Sequence, residues 1–386
     1  MNAIGLDQIL GRTFQANPAY ELVSTAEIAS SEKELFQWLN EDSDLYGVLR
    51  PRENSRLGVK SVCRETAVLF QKLRQPGRLP DSFAAGSETV NRDIVQLVLD
   101  GVLTVECDGA MIWGPAALAA VCNRKPAEPG TRLAALSLEA LRYGAALPIE
   151  DARLLAGRLY FYGRIPFSPR WQRLVPGQDA VIRRLGVEPG GTNARRLARA
   201  WASVDTGDNP GWLAWQSLGR PPGRDEKAPS YKLYMSPRPQ HVRDAFDALV
   251  LELAASEATA FKVGHDAIGL LRPDKIVVYF DAWKPLEQIA RRLRALLAGC
   301  PEHGVPFTAA FEDTDMLLSW GSDPPEAAGV PPWLKRSSWR QWVTNQLAVS
   351  LVAARSNPHP GTEPWLFALE SLRLKGVDIE TWSPAR

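Results

Sequence analysis

The chain has 386 residues, 45% hydrophobic and 23% charged, with 45 basic and 44 acidic side chains and a formal net charge of +1. That balance excludes a largely disordered chain and gives no reason to expect bulk nucleic-acid binding, though it leaves room for a local basic pocket. The length points to two domains rather than one core.

Residues 1 to about 50 read as helical, with Ser31 and Glu34 forming a capping-box-like signal ahead of Leu35, Phe36, Trp38 and Leu39. Val90, Ile94, Leu97 and Val98 recur at helical spacing and stop at Gly101. "VLTVECDGAMIWG" then predicts two short strands across a Cys-Asp-Gly turn. Residues 132–162 are helical again, split at Pro148, and the aromatic and basic "RLYFYGRIPFSPRW" leads into helices near 178–185 and 193–203. "LGRPPGRDEKAPS" at 218–230 is the strongest linker signal and sets the expected boundary. Residues 1–220 would form a mostly helical domain for peptide or partner binding, and 228–386 an α+β domain.

The second half predicts a strand at 231–235 and a helix over 238–255 with Val242, Ala245, Phe246, Leu249, Val250 and Leu253 as its apolar stripe. Strands at 260–264 and 275–281, a helix at 286–297, a strand at 307–311 and a helix from 333 to about 355 follow. This order implies an α+β domain with a mixed or antiparallel sheet flanked by helices.

Cys63, Cys107, Cys122 and Cys300 form no C-x-x-C pair, and no His/Cys cluster has zinc spacing. Structural thiols in a reducing compartment, no metal and no cofactor are expected. "MNAIGLDQIL" lacks the basic and apolar regions of a signal peptide, and the longest apolar run, 110–122, contains Gly114 and Pro115 and is too short to span a bilayer. A cytoplasmic protein with no membrane partner is expected, and secretion without a cleavable signal is compatible with it. Nucleotide-binding glycine loops, H-E-x-x-H and G-x-S-x-G are absent from the sequence, and its four histidines are His241, His265, His303 and His359.

What stands out is a cationic and phenolic set in the second half. Lys232 and Tyr234 share one face of a strand, and Lys262 sits between Phe261 and Val263. Arg272 and Lys275 precede a strand holding Tyr279, Arg336 and Arg340 share a helix face, and Arg355 follows on that helix. A lysine in an apolar strand is costly to bury, and neighbouring cations lower its pKa toward that of a usable base. Arginines and a second lysine suit a phosphate dianion. Base plus phosphate clamp suggests elimination of phosphate from a phosphorylated side chain. The bland readings are a solvated strand rim for Lys232 and Tyr234, a turn charge cluster for Arg272 and Lys275, core packing for Tyr279, a solvated helix face for Arg336 and Arg340, and core for the aromatics of 160–171.

The order "YKLYMS", "AFKVGHD" and then "RPDKIVVYF" resembles the motif series of the phosphothreonine lyases, shared by the lyase domain of class III lanthipeptide synthetases. Tyr in place of His, with "RLYFYGRIPFSPRW" upstream and "SWRQWVTNQLAVSLVAAR" downstream, looks closer to the HopA-type effector family, over roughly residues 150–386. That family recurs in clusters for lanthipeptides and thioamide-containing peptides, beside a separate kinase-like protein. The resemblance implies Lys262 as general base, Lys232 as the lysine that contacts phosphate, Arg272 as phosphate-binding arginine, and Tyr279 as the tyrosine of the next strand. Lys275, Arg336, Arg340 and Arg355 are further phosphate-binding candidates. Tyr234 stands where the family has its general-acid histidine, so three readings stay open: Tyr234 as acid, His265 as acid, or a phosphopeptide-binding fold without catalysis. The implied partners are a phosphorylated precursor peptide and the kinase. The alternative is a non-catalytic effector or scaffold module gripping a partner protein or phosphopeptide.

Overall fold

The computed structural model describes residues 11–32, 36, 43–52, 57–84, 88–122, 128–205, 211–219, 230–324 and 338–385. The N-terminal part runs β1 (Phe14–Ala16), β2 (Tyr20–Ser24), β3 (Leu45–Pro51), β4 (Lys60–Cys63), α1 (Arg64–Lys72), α2 (Glu88–Leu99), β5 (Leu103–Cys107) and β6 (Ala110–Ile112). The strands form two antiparallel three-stranded sheets, β1-β5-β6 and β2-β3-β4. This corrects the helical reading of the first fifty residues. "YELVS" and "LYGVLRP" are short, aromatic and β-branched, and they pair with each other rather than coil. The capping signal gives only a 3₁₀ turn at Ser30–Glu32, and most of the helix expected after it lies outside the described residues. The β5–β6 turn is as expected, with Asp108 at φ 51° and Gly109 at φ 79°.

The chain continues through α3 (Arg132–Ala146), α4 (Ala152–Tyr160), α5 (Gln178–Leu185), α6 (Thr192–Leu197), β7 (Trp201–Val204), β8 (Trp212–Ser217) and β9 (Tyr231–Met235). Then come α7 (Val242–Leu253), β10 (Ala260–Gly264), β11 (Ile276–Phe280), α8 (Trp283–Leu296), β12 (Ala309–Ala310), β13 (Leu318–Ser322), α9 (Trp339–Ser356) and α10 (Pro364–Leu374). The fold is α+β. Its main sheet has seven antiparallel strands in the order β12-β13-β9-β11-β10-β8-β7.

Two expectations change here. The helix expected over 193–203 ends at Leu197, and Trp201–Val204 is a strand. More consequentially, β7 and β8 precede the Pro/Gly-rich stretch yet pair into the same sheet as β10. The expected boundary at 218–230 therefore separates two strands of one sheet, and a linker-like composition there does not divide cores. α10 sharpens the point, because Phe367 and Leu374 pack into the N-terminal core with β1, β5 and α2. Its Ala368, Leu369 and Leu372 pack beside α3, α4 and α9.

The main sheet has two unlike faces, as period-2 alternation requires. One carries Leu233, Met235, Phe261, Val263, Ile276, Val278 and Phe280 into a core closed by α7 and α8. The stripe read from the sequence on α7 is buried there. The other face is set by the register, in which Lys232 lies opposite Tyr279, Tyr234 opposite Val277, and Val277 opposite Lys262. Across β8, Lys262 pairs with Ala214 and Gly264 with Trp212. Lysines and phenols thus share the face away from the α7–α8 core.

Gly264 ends β10 where the chain turns tightly into the short helix Ala267–Leu270. A Cβ there would lie 2.4–2.8 Å from the Gly269 backbone. Gly264→Ala is expected to cost roughly 1–3 kcal/mol, because backbone rather than a flexible side chain must move. Urea denaturation of the full chain measures this.

Candidate active site

The polar face is organised around Asp274, which is 3% exposed in the turn before β11. Arg272 donates to both its oxygens, Nε to Oδ1 at 2.9 Å and Nη2 to Oδ2 at 2.9 Å. Tyr160, at the end of α4, donates its hydroxyl to Oδ2 at 3.0 Å and accepts from Arg272 Nη2 at 3.3 Å. Arg340, in the first turn of α9, places Nη1 2.9 Å from Oδ2 and donates to the carbonyls of Pro306 and Tyr160 at 3.0 and 2.7 Å. Burial alone would raise the Asp274 pKa, but the two guanidiniums and the hydrogen bonds outweigh it and hold the carboxyl well below the ordinary range. A cation near a helix N-terminus opposes the helix dipole, and Asp274 supplies the offset.

Lys262 projects from β10 toward this hub. Its Nζ lies 4.3 Å from the centre of the Trp212 ring and 5.7 Å from that of Tyr279. The Arg272 guanidinium lies 4.7 Å from the same Trp212 ring, so one indole serves two cations. Among the described residues no carboxylate forms an ion pair with Lys262. Burial lowers its pKa to about 8, with Arg272 adding to the drop and Asp274 opposing it. Lys232 differs: it is 9% exposed, and its Nζ donates to Asp323 Oδ1 at 2.8 Å just beyond β13. Asp323 also accepts from the Ser230 amide and hydroxyl, and these bonds overcome its desolvation to lower its pKa. An ammonium carries three donors, so Lys232 keeps two for a ligand.

Two phenols complete the face. Burial pushes Tyr279 up to about 12, against the pull of Lys232. Tyr234 is 3% exposed and raised well above its ordinary value by burial first, then by Tyr160 and Tyr279, with Arg340 opposing. Its proton is firmly held.

The remaining candidates lie elsewhere or are already committed. Arg340 is 1% exposed and consumed by Asp274 and two carbonyls, so it builds the site's floor instead of lining a solvated face. Arg355 caps the end of α3, donating to the carbonyls of Gly144, Ala145 and Ile149 at 2.6–2.9 Å. Lys275 is fully buried, 3.0 Å from His303 Nδ1 and 3.4 Å from the Pro273 carbonyl. The other His303 nitrogen, Nε2, donates to the Gly163 carbonyl at 2.6 Å, which leaves Nδ1 to accept from Lys275. His265 lies 3.7 Å from Asp266 and, among the described residues, forms no hydrogen bond or ion pair with the Asp274 cluster. Arg336 lies outside the described residues.

The structure thus brings together Lys232, Tyr234, Lys262, Arg272 and Tyr279. Sequence reasoning missed Tyr160, Trp212, Asp274 and Asp323. "RLYFYGR" had drawn notice as aromatic and basic, whereas Asp274 read only as a turn residue.

No family model and no curated protein matches the chain. Solved structures are similar in part. An effector protein from Pseudomonas syringae pv. syringae strain 61 is 15% identical with a TM-score of 0.43, over 66% of this chain and 98% of that one. An effector from Pseudomonas syringae pv. tomato strain DC3000 is 15% identical with a TM-score of 0.41, over 66% and 100%. The Chromobacterium violaceum VirA (SpvC) phosphothreonine lyase effector is 14% identical with a TM-score of 0.28, over 37% and 76%. These likenesses are loose, and the pocket's chemistry follows from its own side chains.

Asp274→Asn would strand two guanidiniums, one of them fully buried. It is expected to cost about 3–5 kcal/mol in denaturant unfolding. Burial lowers Lys275 to about 7, so above that pH the unfolded chain binds a proton that the folded chain lacks. Stability should therefore rise from pH 7 toward the ordinary lysine range. Lys275→Met should flatten that rise, measured by urea titrations across the window.

Proposed function

We propose that the chain is a lyase that β-eliminates phosphate from phosphoserine or phosphothreonine in a peptide. The observation that carries this reading is a half-buried amine, Lys262, which has no carboxylate partner among the described residues, is lowered to about 8 and is set beside Arg272, Lys232 and two phenols on one sheet face. With Lys262 protonated, Lys232, Lys262, Arg272 and Arg340 outnumber Asp274 and Asp323 by two positive charges. A phosphate of about −1.5 to −2 at neutral pH would offset that excess. Arg272 retains Nη1 and Lys232 two donors for the phosphate oxygens.

In this mechanism neutral Lys262 takes the Cα proton. A pKa of about 8 leaves roughly a tenth of it neutral at pH 7, against about one part in three thousand for an ordinary lysine. The C–H electron pair becomes the Cα–Cβ double bond, and the Cβ–O bond breaks with its pair leaving on phosphate. Lys232 and Arg272 meet the charge growing on the leaving oxygens, where fixed donors in a dry pocket act most strongly. Tyr234 stays protonated across the working range and donates a hydrogen bond to the bridging oxygen while keeping its proton, and Tyr279 borders the amine. The products are dehydroalanine or dehydrobutyrine and inorganic phosphate, and Lys262 returns its proton to solvent.

The sequence resemblance supports a setting in which a separate kinase-like protein phosphorylates Ser or Thr of a precursor peptide in lanthipeptide biosynthesis. In that setting the N-terminal part holds the peptide or the kinase in the cytoplasm. One observation favours a second reading, a non-catalytic phosphopeptide-binding module: the acid position carries a phenol whose proton is held tightly.

Lys262→Ala separates the two. With a phosphorylated peptide and the full chain, mass spectrometry should show loss of phosphoric acid, and the variant should lose at least about a hundredfold in rate. Binding without turnover by the wild type would establish the second reading instead. The rate should climb as pH rises toward about 8, since only the neutral amine abstracts a proton.

A further inference from the structure

The stretch made of α4 and the segment after it is biased toward positive charge. Between Asp151 and Asp179 the sequence has five arginines and no acidic residue, in a chain that is otherwise nearly balanced. Arg158, Arg170 and Arg173 are exposed, and among the described residues neither they nor Arg164 form an ion pair. Phe161 and Phe167 are 44% and 49% exposed.

This segment is joined to the pocket. The Phe161 ring centre lies 5.7 Å from the Arg272 guanidinium and 5.5 Å from that of Arg164, so one ring bridges a pocket cation and a surface cation. Ile165 donates its amide to the Leu271 carbonyl at 3.1 Å, and Gly163 accepts from His303. Trp171, 8% exposed, anchors the far end, and Pro166 and Pro169 stiffen the run between. The segment is therefore a pinned platform, and a pinned surface costs a ligand less to order.

We infer that residues 161–173 are a docking surface for an acidic stretch of the substrate peptide flanking its phosphorylated residue. This rests on the phosphopeptide reading of the site and adds the class of peptide. Unpaired guanidiniums select Asp and Glu side chains, and the exposed rings offer flat apolar contact to the peptide between them. A neutral or basic flank would leave those arginines without partners.

The test uses two labelled phosphothreonine peptides, one flanked by Asp and Glu, the other by Asn and Gln at the same positions. Fluorescence anisotropy is read on the Lys262→Ala full chain, so the result stands whether or not the wild type turns over. Exposed ion pairs are individually weak, so a few of them together should make the acidic peptide bind about fivefold tighter. That preference should shrink with added salt and collapse in Lys262→Ala/Arg170→Ala/Arg173→Ala, whose fold is checked by near-ultraviolet circular dichroism. A charge-conserving Arg170→Lys/Arg173→Lys variant in the same background should keep most of it. Equal binding of the two peptides overturns the inference, as does a preference untouched by the arginine substitutions. Discrimination absent for peptides, with arginine-dependent binding to phosphatidylserine vesicles or single-stranded DNA, overturns it in favour of those polyanions.

Discussion

One buried carboxylate holds the pocket together. Asp274 meets a guanidinium from its own turn, a guanidinium from the start of α9 and a hydroxyl from the end of α4. None of these elements would bring a charge to this depth alone, because an unpaired buried ion costs several kcal/mol. Together they satisfy one another, and the helices are fastened over the polar face of the sheet. Arg272 is held in place by the same contacts, leaving one edge of its guanidinium for a ligand.

Against this fixed background the two lysines show how one residue type takes two roles. Lys232 has Asp323 within hydrogen-bond distance and is a matched charge. Lys262 has an indole face and a neighbouring guanidinium instead, so burial takes its toll on the ammonium form. One strand, β11, separates positions that differ by a single partner. The sheet makes this possible by turning its apolar alternates toward α7 and α8, so the opposite face need not supply the hydrophobic core.

Much of this was legible in sequence, and the rest failed for physical reasons. Alternation placed Lys232 with Tyr234 on one face of a strand and set Lys262 between two buried apolar neighbours, and the α7 stripe was equally clear. Arg272 and Tyr279 stood in the same cationic and phenolic set, and the resemblance to the phosphothreonine lyase series implied a role for each. Asp274 was opaque because Pro-Asp reads as a turn, and only tertiary packing turns that residue inward. Arg340 was read as a phosphate-binding candidate with a solvated helix face as the alternative, and its pairing with Asp274 was not visible because spacing fixes which residues share a helix face but not what that face meets. The boundary at 218–230 followed composition, which reports local chain stiffness and polarity. It cannot report that β8 and β9 end up in one sheet. Tyr160 and Trp212 lay upstream of that boundary, and the pocket they complete was sought downstream of it.

The order of these contacts along the chain has a kinetic meaning. Tyr160 and Asp274 are 114 residues apart, and the Arg340–Tyr160 bond spans 180. Closing such loops comes late and slowly during folding. A nascent chain released before α9 would lack Arg340, leaving Asp274 and Tyr160 without their deepest partner. The Asp274 cluster is therefore complete only after α9 has been made and docked, which sets the assembly of the polar pocket late in folding.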